Sequence, residues 1–201
     1  MAIFSVLNGC SLLAPSRAPD LKLFALRDEL SPAAPSAGAL TVSVTALRSA
    51  AGFAGPRMVY VRTRYQLEYY TQSAWVESPA QMLAPLMVRA VARNGAFRAS
   101  MASGSAAQSD LQLEAELVQL QQEFDSTPSR VRLTLRVALV ASGSRKLLAT
   151  RLFESVADAA SEDAAGGAAA ANVAAHQVLA EVADWSAVVA QGGNVERVSS
   201  D

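Results

Sequence analysis

The densest group of residues able to bind a ligand or partner lies between positions 57 and 79. This segment combines three arginines with four tyrosines and one tryptophan. Guanidinium groups bind phosphate or carboxylate in a fork, and aromatic rings supply contact area to lipid headgroups, bases or protein. The same composition also fits a packed hairpin whose arginines stay in solvent, and both interpretations are kept. We select five residues as candidate contacts to a partner or lipid: Arg62, Arg64, Tyr65, Tyr69 and Trp75.

Catalytic and metal-binding patterns are sparse in this sequence. There is one histidine, His176, so a Ser–His–Asp triad would have to use it together with a partner that sequence cannot supply. An acidic cluster at 154–163 lacks the glycine-turn spacing of an EF-hand loop and is interpreted as solvated. Phosphate-loop, GxGxxG and GxSxG motifs do not occur. We therefore predict that the protein is not an enzyme and uses no cofactor or metal, while an enzyme built on His176 remains an alternative.

Length and charge limit the function class further. The chain has 201 residues and a formal net charge of −1. Nucleic-acid binders usually carry a basic excess, so that class is disfavoured. No stretch reaches the roughly 20 apolar residues that a membrane span needs. One domain is expected, because about 150 residues is a typical domain size.

The first half of the chain must position the arginine- and tyrosine-rich segment. Strands are predicted at 21–27 and 40–47, followed by a tight hairpin of strands at 58–62 and 67–71. Ser78 and Pro79 predict a capped helix start, and Gly95 predicts its end. Pro85 predicts a kink in that helix or a later start. Residues 100–109 are small and polar and predict a loop.

The second half alternates apolar and polar residues over two long segments, 111–117 and 131–139. A hairpin turning near 126–129 would place Glu114 opposite Arg136 and Glu116 opposite Thr134. A third strand follows at about 146–156, then a loop at 161–167 and a helix whose apolar stripe runs from 171 to 189. The predicted fold class is α+β: a single antiparallel or mixed sheet with two main helices packed on one face.

The sole cysteine, Cys10, lies near the start of the chain. With Leu7 and Gly9 before it, the segment resembles a bacterial lipobox, where a lipoprotein signal peptidase cuts before a lipid-modified cysteine. The apolar run at 2–7 is shorter than a complete signal, and no basic residue precedes it. The predicted organisation is a truncated signal at 1–10, a tether at 11–20, one domain at 21–191 and a tail at 192–201, with lipidation at Cys10.

Taken together, these features resemble the ABC-type transport auxiliary lipoprotein family, which accompanies MCE-domain lipid transporters in Gram-negative bacteria. The resemblance covers about residues 10–190. It rests on the cysteine before a Pro/Ala tether, the hairpin at 58–70, the stretch Trp75-Val76-Glu77-Ser78-Pro79 and a C-terminal helix through Trp185.

That resemblance implies a non-catalytic accessory subunit that helps to move phospholipid or other hydrophobic compounds between the two membranes. The implied partners are an MCE-domain protein with its ABC permease and ATPase, and the membrane through an N-terminal acyl anchor. A homo-oligomer is left open, because the sequence does not fix the oligomeric state. Ser11 after the cysteine resembles lipoproteins sent to the outer membrane, on its periplasmic face. The alternative is a lipoprotein chaperone or plug of an outer-membrane assembly machine.

Overall fold

A nine-stranded mixed sheet and two helices make up the part of the chain described by the structure, a computed structural model covering residues 20–28, 35–36, 38–104 and 108–192. The α+β fold class is confirmed. Cys10, most of the predicted tether and the tail beyond residue 192 lie outside the described residues. The elements are β1 Lys22–Phe24, β2 Thr41–Val44, β3 Arg48–Ser49, β4 Arg57–Val61, β5 Glu68–Trp75, α1 Pro79–Asn94, β6 Ala99–Ala102, β7 Leu111–Glu123, β8 Arg130–Ala141, β9 Leu147–Asp158 and α2 Ala164–Ala190.

Strand β7 is the central strand of the sheet. One of its edges pairs in parallel with β2, β3 and β4 at successive heights, through Leu111, Glu116 and Gln122. Its other edge pairs in an antiparallel manner with β8, which pairs with β9 in turn. Outside β4 lie β5 and then β1, and outside β2 lies β6. The sheet is therefore an antiparallel meander at one side and a mixed, partly parallel sheet at the other.

The core forms where the alternating leucines of β7 and β8 meet the two helices. Leu113, Leu117, Leu133 and Leu135 are fully buried. Helix α2 packs on β8 and β9 and against α1. Its buried face is mostly alanine and glycine, and side chains this small let a helix approach a sheet closely.

The observed β7–β8 register differs by two residues from the predicted one. Arg136 lies opposite Glu116 rather than Glu114, and its Nη1 atom is 2.6 Å from Glu116 Oε2. A bulge after Leu117 then places Thr134 opposite Gln119. The register of a hairpin follows its turn, and the connection at 124–129 is longer than the predicted one.

Helix α1 has the predicted ends. Ser78 is the N-cap, Pro79 the first helical residue, and Gly95 closes the helix with a φ of 74°. The predicted later start is wrong, because the helix runs through Pro85. That proline lies on the exposed side, where water can reach the backbone carbonyl left without its donor.

Two predicted loops contain regular structure. Strand β6 occupies 99–102, where it pairs in parallel with β2. Helix α2 begins at Ala164 rather than after Gly167, and the Asp163 carboxylate accepts a hydrogen bond of 2.9 Å from the Gly166 amide. That bond, with one from the Ser161 hydroxyl, lowers the pKa of Asp163. Neighbouring elements and the cap therefore determine these segments, whose own sequences are weak strand and helix formers.

Candidate functional site

The arginine- and tyrosine-rich segment forms the hairpin of β4 and β5, and its six-residue loop at 62–67 is the tip. The strands pair up to Tyr60 and Glu68, and the Gln66 amide donates to the Thr63 carbonyl at 3.1 Å. Tyr65 has a φ of 69°, a left-handed conformation that non-glycine residues seldom adopt. Its side chain is 98% exposed. The loop therefore holds a tyrosine ring away from the rest of the domain.

Arg62 forms its contacts within the hairpin itself. Its guanidinium forms a two-pronged ion pair with the Glu68 carboxylate, with Nε 2.9 Å from Oε1. The Tyr60 hydroxyl donates to the same carboxylate at 3.1 Å. The hydrogen bonds from Arg62 lower the pKa of Glu68, and that carboxylate raises the pKa of Arg62. Arg62 is therefore less free to bind an external anion than its 63% exposed side chain suggests.

Arg64, Tyr65 and Leu67 are exposed side chains of the tip, and we call these three residues the tip surface. Arg64 makes no ion pair or side-chain hydrogen bond with any residue in the described ranges. Leu67 is 40% exposed. A cation, an aromatic ring with a polar end and an aliphatic side chain are thus presented together. Residues of this kind suit a boundary between apolar and wet material.

A cleft of about 420 Å³ lies behind the tip surface. Its opposite wall comes from the β7–β8 end and includes Glu123, Asp125 and Arg132. Arg132 is held by Glu123 at 2.9 Å and by Glu154 at 2.5 Å. Because the positive charge of this wall is already paired, the cleft has mixed polarity and no concentrated charge.

The remaining two predicted contact residues lie away from the tip. Tyr69 is half-buried, with the Arg57 guanidinium stacked 3.7 Å from the centre of its ring. Trp75 is only 4% exposed, and its backbone amide donates to the Pro56 carbonyl at 2.8 Å. The structure therefore brings Arg62, Arg64 and Tyr65 together and places Trp75 in the core, off any contact surface.

A chain of polar groups, buried at Gln122 and Ser129, connects the hairpin to the end of the sheet. The Tyr70 hydroxyl donates to Gln122 Oε1 at 2.9 Å, and Gln122 Nε2 donates to the Ser129 hydroxyl at 2.9 Å. The Ser129 amide in turn donates to the Glu162 carboxylate. Burial is the main cause that raises the pKa of Tyr70 to about 12. These hydrogen bonds link β5 and β7 to the residues just before β8 and α2, and so connect the base of the tip to the sheet and to α2.

Sequence reasoning missed this polar chain. Gln122 falls on the inward side of β7 after the bulge, where an apolar residue is expected. A glutamine breaking the apolar alternation two residues after Leu120 was the available signal. Gly167 on α2 lies against Gln122 and leaves space for its amide, because a Cβ at position 167 would lie 2.1 Å from Gln122 Oε1.

His176 lines a groove of about 180 Å³ between α1 and α2, with an apolar floor that includes Leu86 and Leu179. Its Nε2 atom lies 3.0 Å from the Arg27 carbonyl. Arg93, which lines the groove, and Arg89 both contact the Asp28 carboxylate.

Among the described residues, no cluster of three or more histidine, cysteine, aspartate and glutamate side chains could hold a metal ion. Neither α1 nor α2 is long and apolar enough to cross a membrane.

Comparison with solved structures identifies the fold. A Xanthomonas campestris protein, XCC0632, superposes with a TM-score of 0.74 at 23% identity, covering 86% of this chain and 97% of that one. A second, uncharacterized protein superposes with a TM-score of 0.65 at 15% identity, covering 83% and 98%. A PelC structure from Paraburkholderia phytofirmans gives 0.48 at 10% identity, covering 78% and 90%. Among curated proteins, none matches this chain.

Comparison with protein families identifies the relationship. The family described as the ABC-type transport auxiliary lipoprotein component matches residues 24–183. That range begins at the end of β1 and extends into the last turns of α2, so it includes nearly the whole described domain. The chain belongs to the ABC-type transport auxiliary lipoprotein family.

Proposed function

We propose that this protein is a non-catalytic accessory subunit of an MCE-type ABC transporter that moves phospholipid or other hydrophobic compounds between the inner and outer membranes. It is anchored by acyl chains on Cys10 at the periplasmic face of the outer membrane. Its partners are an MCE-domain protein with its permease and ATPase. ATP hydrolysis belongs to the separate ATPase subunit, because this sequence has no phosphate-binding loop.

The family match over residues 24–183 carries the proposal. An auxiliary component of a transporter acts by binding other molecules, and this domain presents a surface suited to binding. It offers an exposed arginine–tyrosine tip on a rigid hairpin, and its lone histidine contacts a backbone carbonyl.

The tip residues Arg62, Arg64 and Tyr65 are the proposed contact residues of this subunit. Arg64 and Tyr65 reach outward, while Arg62 shapes the loop through Glu68. Trp75 is left out because it is buried, and Tyr69 supports the hairpin beneath Arg57.

Affinity purification from detergent-solubilised envelopes of the native host tests the transporter assignment. A tag after residue 201 keeps the amino-terminal region free. We expect an MCE-domain protein, a permease and an ATPase to co-purify, together with an acylated peptide containing Cys10. Several acyl chains on one residue give stable membrane attachment, whereas a single chain gives only marginal binding.

Cys10→Ser is the matched control, because it removes the acceptor thiol and leaves the folded domain unchanged. We expect the variant to leave the membrane fraction and to lose the transporter subunits. Co-purification of an outer-membrane assembly machine would favour the chaperone or plug alternative. An unmodified Cys10 in the wild-type protein would contradict the anchor, and transporter subunits missing from an acylated sample would contradict the partnership.

A further inference from the structure

The amino-terminal segment enters the domain at the end of the sheet that carries the tip. Strand β1 pairs in parallel with β5, with Lys22 opposite Ser73 and Phe24 opposite Trp75. Moving back along the chain from Lys22 therefore means moving along β5 toward Glu68, its first residue after the tip. Leu21 is 56% exposed. Followed backward from β1, the described chain therefore runs toward the tip as far as Asp20.

The distance from Cys10 to the domain is limited by chain length. Ten residue steps separate Cys10 from Asp20, and an extended chain covers at most about 3.5 Å per residue. Cys10 thus lies within about 35 Å of Asp20. Strand β7 alone, whose 13 residues are separated by 12 steps of about 3.4 Å, is about 41 Å long. An anchor at Cys10 therefore favours the tip end of the sheet as the end near the membrane.

The tip has the chemistry of a membrane contact. Arg64, which has no ion-pair partner among the residues that the structure describes, offers its guanidinium to a lipid phosphate, and such a group binds phosphate by charge-assisted hydrogen bonds. The almost fully exposed Tyr65 has the amphipathic ring enriched at membrane–water interfaces. Leu67 adds an aliphatic group beside it.

The opposite end of the sheet is a necessary comparison. The β8–β9 turn also exposes basic and apolar residues, including Arg145, Lys146 and Leu147. Residue chemistry alone therefore does not select one end. The direction in which the chain enters β1 selects the tip end as the end near the membrane.

We propose that the β4–β5 tip faces the bilayer and that Arg64, Tyr65 and Leu67 contact the phospholipid headgroup region. The inference rests on the proposed Cys10 anchor and adds the orientation of the domain. The β8–β9 turn then points away from the bilayer, toward the aqueous compartment.

A site-specific tether allows the orientation to be tested on the full chain. Cys10 is the sole cysteine, so it couples selectively to maleimide-bearing phospholipid in vesicles of phosphatidylcholine and phosphatidylethanolamine with a minority of phosphatidylglycerol. Tryptophan is introduced by Tyr65→Trp or by Arg145→Trp. Both positions are exposed and left-handed in φ, and they lie at opposite ends of the sheet. The native Trp75 and Trp185 are buried and give a constant background.

Bromine in the acyl chains quenches tryptophan that approaches the bilayer. We expect Tyr65→Trp to lose emission and shift to the blue in brominated vesicles, while Arg145→Trp keeps its emission. As a check without substitution, amide exchange in loop 62–67 of the coupled wild-type protein should slow relative to the uncoupled protein.

Quenching at position 145, equal quenching at both positions, or quenching at neither would overturn the proposed orientation. Chemical coupling supplies the anchor whatever the transporter partners are. If the vesicle experiment contradicts the proposed orientation, the purification result is unaffected. If the transporter partners are missing from the purification, the vesicle result is unaffected.

Discussion

Replacing Gly167 with alanine should break the buried polar chain under the tip. A Cβ at this position would lie 2.1 Å from Gln122 Oε1 and 2.9 Å from its Cδ. Gln122 is buried and hydrogen-bonded at both amide atoms, to Tyr70 and to Ser129. The amide must therefore move, and the movement separates it from both partners.

The expected loss of stability follows from opposing contributions. Each buried polar group left without a partner costs about 1–3 kcal/mol, and overpacking a core costs about 1–3 kcal/mol. Alanine is about 1 kcal/mol better than glycine inside a helix, which offsets part of this. We expect the free energy of unfolding to fall by about 2–4 kcal/mol. With a urea slope of about 2 kcal/mol per molar, the midpoint falls by about 1–2 M.

Equilibrium urea unfolding, followed by circular dichroism and tryptophan fluorescence, measures this change. Gln122→Ala supplies the control, because the shorter side chain leaves room for the new methyl group. In that background Gly167→Ala should be neutral or stabilising by up to about 1 kcal/mol, giving a strongly non-additive cycle. A neutral Gly167→Ala in the wild-type chain, or an equal cost in both backgrounds, would refute the reasoning.

Three further substitutions have expected outcomes. Glu68 has a lowered pKa through Arg62, so its contribution is present above its ordinary pKa of 4.5 and is lost as the pH falls through the lowered value. Urea unfolding should therefore separate wild type from Glu68→Gln at pH 7, and the two midpoints should converge once the pH has fallen below the lowered pKa of Glu68; a difference that stays constant with pH would contradict this. Tyr70→Phe should cost about 1 kcal/mol by losing its bond to Gln122. It should also abolish the phenol that titrates near pH 12, and a late phase that persists in an alkaline absorbance titration would oppose the assignment. Because the raised pKa of Tyr70 favours the neutral phenol, its stabilisation is complete below pH 10 and is lost as the pH rises through about 12. Pro85→Ala should raise the free energy of unfolding by about 1–3 kcal/mol by restoring a helical amide, and a fall in the urea midpoint would contradict that expectation.

Features coded by a few adjacent residues could be predicted from the sequence. The ends of α1 follow from Ser78, Pro79 and Gly95, each of which acts on the backbone next to it. The long strands β7 and β8 follow from their alternation. Strand β6 could not be found in this way, because Ala99–Ala102 becomes a strand by pairing with β2, far away in the chain.

The candidate site also combines features that could be predicted from the sequence with features that could not. Exposure of the tip follows from its position between two strands, where polar and aromatic residues turn the chain. The burial of Trp75 could not be predicted, because an aromatic residue of a hairpin can face either side of the sheet and the β4–β5 pairing shifts near Arg57. The contact between Gln122 and Gly167 could not be predicted, because the two residues lie 45 positions apart in the sequence.

Strand β7 also constrains the order in which the sheet assembles. Strands β2, β3 and β4 all precede it in the chain, and each leaves one edge unpaired until β7 is in place. The meander β7–β8–β9 needs only neighbours in sequence, and such local pairing closes fastest. An envelope protein delivered amino-terminus first therefore exposes its first strands before their template arrives, a state prone to aggregation. Pulse-labelled amide exchange during refolding should show protection in β8 before β2, and the reverse order would contradict this assembly sequence.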